Sequence, residues 1–342
     1  MKLVSQIQIT VNEILEYAEP SRALIVYDDQ SALTGMISKA YHEVLPNALS
    51  INFDQTPAEK ILEIFKTLSP KDLVVLIQSS SFRLDAFRIR VQLFQQGIKV
   101  IEYPHLGRVL ESEYETYLDS LIYDSKYYRT LGPALKEKLD QSHEVKLLSG
   151  DHSLVFGGPM ESAKLNIGDY RGMRNVGGQF PIGEVFTELK KLEDLNGNVA
   201  LFAFGDRDFA VNHGEKDIVL KVEKGRVVEA LSSTPEFDAV LEDIRSYEGE
   251  VWVRELGFGL NRAFTYEKRV QKDVGIYERM CGVHLSLGGK HAIYPKEGFH
   301  KKKVKYHVDV FARTSSVTID GDVIYKDGSY IIPLSPPVLS DL

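Results

Sequence analysis

The sequence predicts an α/β protein: an N-terminal doubly wound, mostly parallel sheet followed by a β-rich α+β domain. Three observations lead there. Between residues 23 and 103, short apolar runs alternate with segments of helical period, the pattern of parallel strands joined by crossover helices. From Glu144 onward the helical period gives way to short alternating runs separated by glycines. The length of 342 residues, with 43% hydrophobic and 26% charged content, is enough for two cores. The predicted division is 1–144 and 145–342.

Taken in order, Leu3 to Tyr17 carries apolar residues at helical spacing (Val4, Ile7, Val11, Ile14) and reads as an opening helix that stops before Pro20. Ala23–Tyr27 is a buried strand ending in Asp28 and Asp29, and Ser31 is placed to cap a helix reaching Val44. Ala48–Phe53 is a second strand. Thr56, Pro57 and Glu59 then have the spacing of a capping box for a helix to Leu68. Asp72–Ile77 is continuously apolar after its first residue, as strands covered on both faces are. Ser79, Ser80 and Ser81 lead toward a helix ending near Gly97, and Ile98–Tyr103 is a fourth strand followed by His105. Glu111 to Ser142 is helical, rich in tyrosine and expected to break at Gly132-Pro133; it reads as a connector that packs between domains or subunits.

Composition excludes several classes of function. The formal charge of −8, from 41 basic and 49 acidic residues, gives no electrostatic footprint for nucleic acid or an anionic membrane. The N-terminus lacks the apolar core of a secretory signal, and no apolar run is long enough to span a bilayer. The single cysteine, Cys281, rules out an internal disulfide and fits a reducing cytoplasm; beside Gly282 it reads as a small packed residue. No Gly-x-Gly-x-x-Gly or Walker-type loop follows any strand, so nucleotide binding has no support. The basic run His300-Lys301-Lys302-Lys303 reads as a solvated turn.

Candidate chemistry lies in two places. Ligands of open α/β sheets sit beyond the carboxyl ends of the strands, which singles out Asp28, Asp29, the three serines and His105. The serines can equally cap the next helix, whereas His105 has no evident packing role. In the second half, His307 and Asp309 alternate along an extended run and so project from one face, with Val308 on the other. Glu184 stands where the loop Asn175–Gly183 enters an apolar strand, and Glu255 stands between an apolar run and a glycine-rich turn. Each has a structural alternative: a turn glutamate with its head in water for Glu184, an ion pair with Arg254 or Arg262 for Glu255. His284 and Ser286 share the polar face of a further strand.

Gly183-Glu184-Val185-Phe186-Thr187, Glu255-Leu256-Gly257-Phe258-Gly259-Leu260-Asn261, His284-Leu285-Ser286-Leu287-Gly288 and His307-Val308-Asp309 together resemble the aminopeptidase T family of metallopeptidases, which carries these four motifs in this order. The resemblance covers the C-terminal half well and the N-terminal half in outline. It implies that Glu184, Glu255, His284, His307 and Asp309 are the ligands of a two-metal site in that domain. Three carboxylates and two imidazoles suit zinc, cobalt or manganese. The implied reaction is hydrolysis of an N-terminal peptide bond by a metal-activated water, with Glu184 in the catalytic set. The family commonly has a tyrosine shortly after its first histidine; here His291 occupies that region, a third imidazole able to bind metal or move protons.

A 2,5-dihydroxypyridine dioxygenase group is similar in sequence to that family. On its pattern His284, His307 and Asp309 form the two-histidine, one-carboxylate set of a non-haem iron(II) oxygenase, Glu184 and Glu255 surround it, and His105 is an acid/base or substrate-contacting residue. A third reading is a catalytically silent metal-binding protein on the same fold. The expected partners are a small peptide or small-molecule substrate, with no nucleic acid and no membrane, and the tyrosine-rich connector is compatible with a homodimer.

Overall fold

The computed structural model describes residues 2–18, 20–84, 88–208, 210–299 and 303–332. Packing divides the chain into two compact units, residues 1–125 with 168–182, and residues 126–167 with 183–342. The expected division at 144/145 therefore differs from the observed one in two ways. The last connector helix belongs to the second unit, and a short excursion of chain returns to the first.

The first unit opens with α1 (Lys2–Ile9), which continues as a π-helical turn over Thr10–Ile14. Then come β1 (Ala23–Tyr27), α2 (Ala32–Val44), β2 (Leu49–Asn52), α3 (Ala58–Lys66), β3 (Leu73–Ile77), α4 (Ile89–Gln95) and β4 (Lys99–Tyr103). Ser31 caps α2 as its sequence suggests, its side chain accepting from the Leu33 N–H. The capping box expected for α3 does not form: Pro57 is itself the cap residue and no side chain closes the first turn. β3 is buried along its whole length because it lies inside the sheet, with β1 on one side and β4 on the other. Its core joins Val26, Val74, Leu76 and Val100 to Phe65 and Leu93 of the crossover helices.

After α5 (Tyr114–Ser120) the chain breaks at 121–124 and resumes as α6 (Ser125–Gln141). The break is not at Gly132-Pro133. α6 runs through Pro133 at the cost of one backbone hydrogen bond, because Leu131, Leu135 and Leu139 bury a continuous stripe on one side of the helix.

The second unit is built on a largely antiparallel sheet of 14 strands among the described residues. In chain order these are β5 (Val145–Ser149), β6 (His152–Phe156) and β7 (Lys164–Asn166). The chain then supplies β8 (Gly177–Gln179), which pairs in parallel with β4 and completes the five-stranded parallel sheet of the first unit in the order β2-β1-β3-β4-β8. It re-enters the second sheet with β9 (Glu184–Thr187), β10 (Leu195–Gly205), β11 (Val211–Asn212), β12 (Ile218–Glu223) and β13 (Arg226–Leu231). α7 (Pro235–Glu248), capped by Thr234, packs Phe237 against Phe204 of β10 with ring centroids 4.8 Å apart. β14 (Val253–Gly259), α8 (Val274–Tyr277), β15 (Gly282–Leu287), β16 (Val308–Ala312), β17 (Ser316–Ile319), β18 (Asp322–Lys326) and β19 (Ser329–Tyr330) follow. The strands that matter for chemistry are neighbours, in the order β16-β15-β14-β9. Among the described residues no helix is long and apolar enough to cross a membrane. Of the basic run, His300, Lys301 and Lys302 lie outside the described residues; Lys303 is exposed.

Candidate metal centre

Four adjacent strands each deliver one or two of the candidate side chains. Glu184 begins β9, Glu255 lies in β14, His284 in β15 and Asp309 in β16, with His307 immediately before it. The antiparallel register sets Gly259 opposite Glu184, Gly257 opposite His284, and Ser286 opposite Asp309. The glycines of the second motif therefore belong to the strand and not to a turn after it. Gly257 is needed there: a Cβ would lie 2.1 Å from the His284 ring. Glu255 is fixed from behind, its N–H donating to Ser286 Oγ at 3.1 Å.

The five side chains converge. His284 Nε2 lies 3.3 Å from both Glu184 Oε1 and Glu255 Oε1, and His307 Nε2 lies 3.2 Å from Asp309 Oδ1. Glu184, Glu255 and Asp309 are 6–7% exposed and His284 1%. Two groups of three thus have ligand atoms close enough to share an ion: Glu184, Glu255 and His284 in one, Glu255, His307 and Asp309 in the other. Glu255 belongs to both.

The donor chemistry fits metal. Buried carboxylates gathered without cations are costly, and here burial would raise Glu255, but the contacts with His284 and His291 hold it well below the usual range. Burial alone would lower His284 and His307. The carboxylates facing them, Glu184 and Glu255 for the first and Asp309 and Glu255 for the second, push both up to about 10. His307 Nδ1 sits 3.1 Å from the Lys290 carbonyl and donates to it, so Nε2 is the nitrogen turned toward Asp309, and a metal ion bound there would displace its proton. His291 is oriented the other way. Its Nδ1 accepts from the Ile293 N–H, so Nε2 carries the proton directed at Glu255 Oε2, 2.8 Å away.

The alternatives weighed for single residues resolve accordingly. Glu184 does not lie in water, and Glu255 does not pair with Arg254. Arg254 instead makes a two-point ion pair with Glu188 and donates to the carbonyls of Gly289 and Tyr294, at either side of the His291 loop. Cys281 is half-buried, and burial pushes its thiol up to about 12, so it is no nucleophile. A cleft of about 670 Å³ opens on Glu255, His291 and His307, with Phe186, Ile293 and Tyr306 among its walls and the exposed Lys290 and Lys305 beside them.

Two residues absent from the motifs also reach the centre. Arg279 Nη1 lies 2.7 Å from Glu184 Oε2 and 2.7 Å from Glu278 Oε2. Burial pushes Glu278 up to about 8 in spite of that guanidinium. The available signal was a charged pair, Glu278-Arg279, set directly after the apolar run Val274-Gly275-Ile276-Tyr277.

In the first unit the strand-end candidates bind one another. Asp28 is buried and accepts from the Ser79 N–H at 2.7 Å and the Ser79 hydroxyl at 2.5 Å. The serines do not cap α4, which begins ten residues after Ser79 with Arg88 as its cap. His105 adopts a left-handed conformation (φ 57°), with Nε2 3.2 Å from Ser81 Oγ.

No family model and no curated protein sequence matches this chain. Its structure is nevertheless similar to two solved proteins. One is 2,5-dihydroxypyridine dioxygenase from Pseudomonas putida KT2440, at a TM-score of 0.63 and 14% identity, with 97% of each chain covered. The other is wild-type AmpT, an aminopeptidase T, from Thermus thermophilus, at a TM-score of 0.60 and 15% identity, covering 97% of this chain and 99% of that one. The chain shares its fold with both. Both are enzymes by name, and they are the two groups that the four sequence motifs resemble.

Proposed function

We propose that this protein is a metal-dependent hydrolase of the aminopeptidase type, cleaving N-terminal peptide bonds with two divalent cations held by Glu184, Glu255, His284, His307 and Asp309. The observation that carries the reading is Glu255's membership of both ligand groups, the arrangement a bridging carboxylate requires. A mononuclear iron centre would draw His284 together with His307 and Asp309, whereas His284 groups with Glu184 and Glu255. Bound there, a pair of zinc, cobalt or manganese ions supplies Lewis acidity to a water and to the scissile carbonyl. The chain's own residues do the rest. The wall of Phe186, Ile293 and Tyr306 receives an apolar N-terminal side chain, and the Lys290 carbonyl, accepting from His307 Nδ1, orients that ligating imidazole. His291 directs its Nε2–H at Glu255 Oε2 in the cleft and so holds that carboxylate in place for the ions.

The test is metal content after purification without chelator, with a panel of short peptides carrying free or acetylated N-termini. Two zinc, cobalt or manganese ions per chain and turnover of free peptides alone are expected. One iron per chain with oxygen uptake on a dihydroxylated ring such as 2,5-dihydroxypyridine would establish the oxygenase reading instead, which the fold likeness to that dioxygenase favours. Bound metal without turnover of either class would leave a silent metal-binding protein.

A further inference from the structure

We propose that Arg279 makes the two halves of the centre unequal, so that one cation binds tightly at Glu255, His307 and Asp309 and the second binds at least tenfold more weakly at Glu184, Glu255 and His284. The inference rests on the metal reading above and concerns the order and affinity of loading. In the Glu184 group, one carboxylate oxygen already has a cation: Oε2 pairs with Arg279 Nη1 at 2.7 Å, while Oε1 faces His284. A metal entering that group meets a fixed positive charge and a carboxylate half committed elsewhere.

The guanidinium is held in place by its backbone. The Arg279 carbonyl accepts from the Asn261 N–H at 2.9 Å, and its own N–H donates to Ile276 at 3.0 Å. Gly259 allows this close approach, since a Cβ there would lie 1.9 Å from the Met280 carbonyl oxygen. Arg279 is 5% exposed, and its buried Nε has no hydrogen-bond partner among the described residues. The same Nη1 is shared with Glu278. In its ionised form, which prevails above about pH 8, Glu278 competes with Glu184 for Arg279 and tempers its effect on the weak half.

Two substitutions act in opposite directions. Arg279→Gln frees Glu184 Oε2 and tightens the second step tenfold or more. Glu278→Gln removes the competing carboxylate, leaves Arg279 wholly on Glu184, and weakens the second step while the first stays unchanged. The experiment is titration of chelator-stripped protein with cobalt at about pH 8.5, where Glu278 is mostly ionised, followed by calorimetry and visible absorption, with circular dichroism as the control for folding. Two separated steps in the unsubstituted protein, converging in Arg279→Gln and diverging in Glu278→Gln, are expected. Two equal steps in the unsubstituted protein, or a second step unmoved or weakened in folded Arg279→Gln, overturns the inference and leaves the two-metal reading intact. Should Arg279→Gln fail to fold, Glu278→Gln decides: a second step unmoved or tightened overturns it. No cobalt uptake by the unsubstituted protein overturns the metal reading and the inference together.

Discussion

Glu255 is the residue on which both ligand groups depend, so Glu255→Ala should lose both metals, whereas Glu184→Ala should lose the one at His284 and keep the other. Metal analysis of the two variants separates a shared ligand from five independent ones; equal losses would mean that Glu255 does not bridge. His291 hydrogen-bonds Glu255 and lies edge-on to the His307 ring, centroids 5.7 Å apart, so His291→Phe should cost about 10–100-fold in metal affinity or activity, the usual effect of an orienting partner. His105 makes a separate prediction. Burial, then Arg108 and Arg83, push its imidazole down to about 4, so the folded state prefers the neutral ring. Its contribution to stability is complete above about pH 6.5, the unfolded value, and is lost as pH falls from there toward 4. A proton NMR titration of this ring should show no charging between pH 7 and 5; a midpoint near 6.5 would disprove it. The sequence made His307 and Asp309 visible because strand alternation puts them on one face, and the motifs made Glu184, Glu255 and His284 visible. Arg279 and Glu278 escaped because a lone charged pair belongs to no motif and Glu184, which Arg279 meets, is separated from it in the chain by the five strands β10 to β14.

Among elements, the pairing of β9, β14 and β15 sets the geometry of the centre, and two features maintain it. The first is the bare backbone at Gly257, under the His284 ring. Gly257→Ala should displace that ring and abolish metal uptake at the Glu184 group, read as loss of one equivalent of cobalt, while the protein stays folded. The second is the ion pair of Arg254 with Glu188, whose side chains are 1% and 0% exposed. Arg254→Met leaves Glu188 buried with only Lys296, 3.1 Å away, and releases the carbonyls of Gly289 and Tyr294. A loss of about 3 kcal/mol in denaturant unfolding is expected, at the lower end for breaking a buried pair because Lys296 remains; a change below about 1 kcal/mol would mean the pair is dispensable. Elements with strong periodicity were legible: β1, β3 and β4 as apolar runs, α2 by its serine cap. β8 was not, since Gly177-Gly178-Gln179 has no apolar alternation and is a strand only because β4 offers it an edge. Nor was the passage of α6 through Pro133, which tertiary burial of its leucines decides against local preference.

For the whole molecule, the decisive fact is that all five candidate ligands come from the second unit, although the chain crosses between units three times. Anything that binds the folded state alone stabilises it, by about 2.7 kcal/mol when the free metal is a hundred times the dissociation constant. That stabilisation acts first on the strands that would have to separate for the ligands to part, β9, β14, β15 and β16. Hydrogen exchange with and without cobalt should therefore show slowed amides in those four strands, with β1 to β4 of the parallel sheet changing least. Equal protection of the parallel sheet would place a ligand in the first unit, and His105 would be the residue to replace next. Absence of protection in β9 with strong protection in β16 would mean that only the group at His307 and Asp309 loads under those conditions. The same profile recorded on Arg279→Gln should then bring β9 to the level of β16, because Glu184 is the first residue of β9 and its free oxygen joins strand to metal.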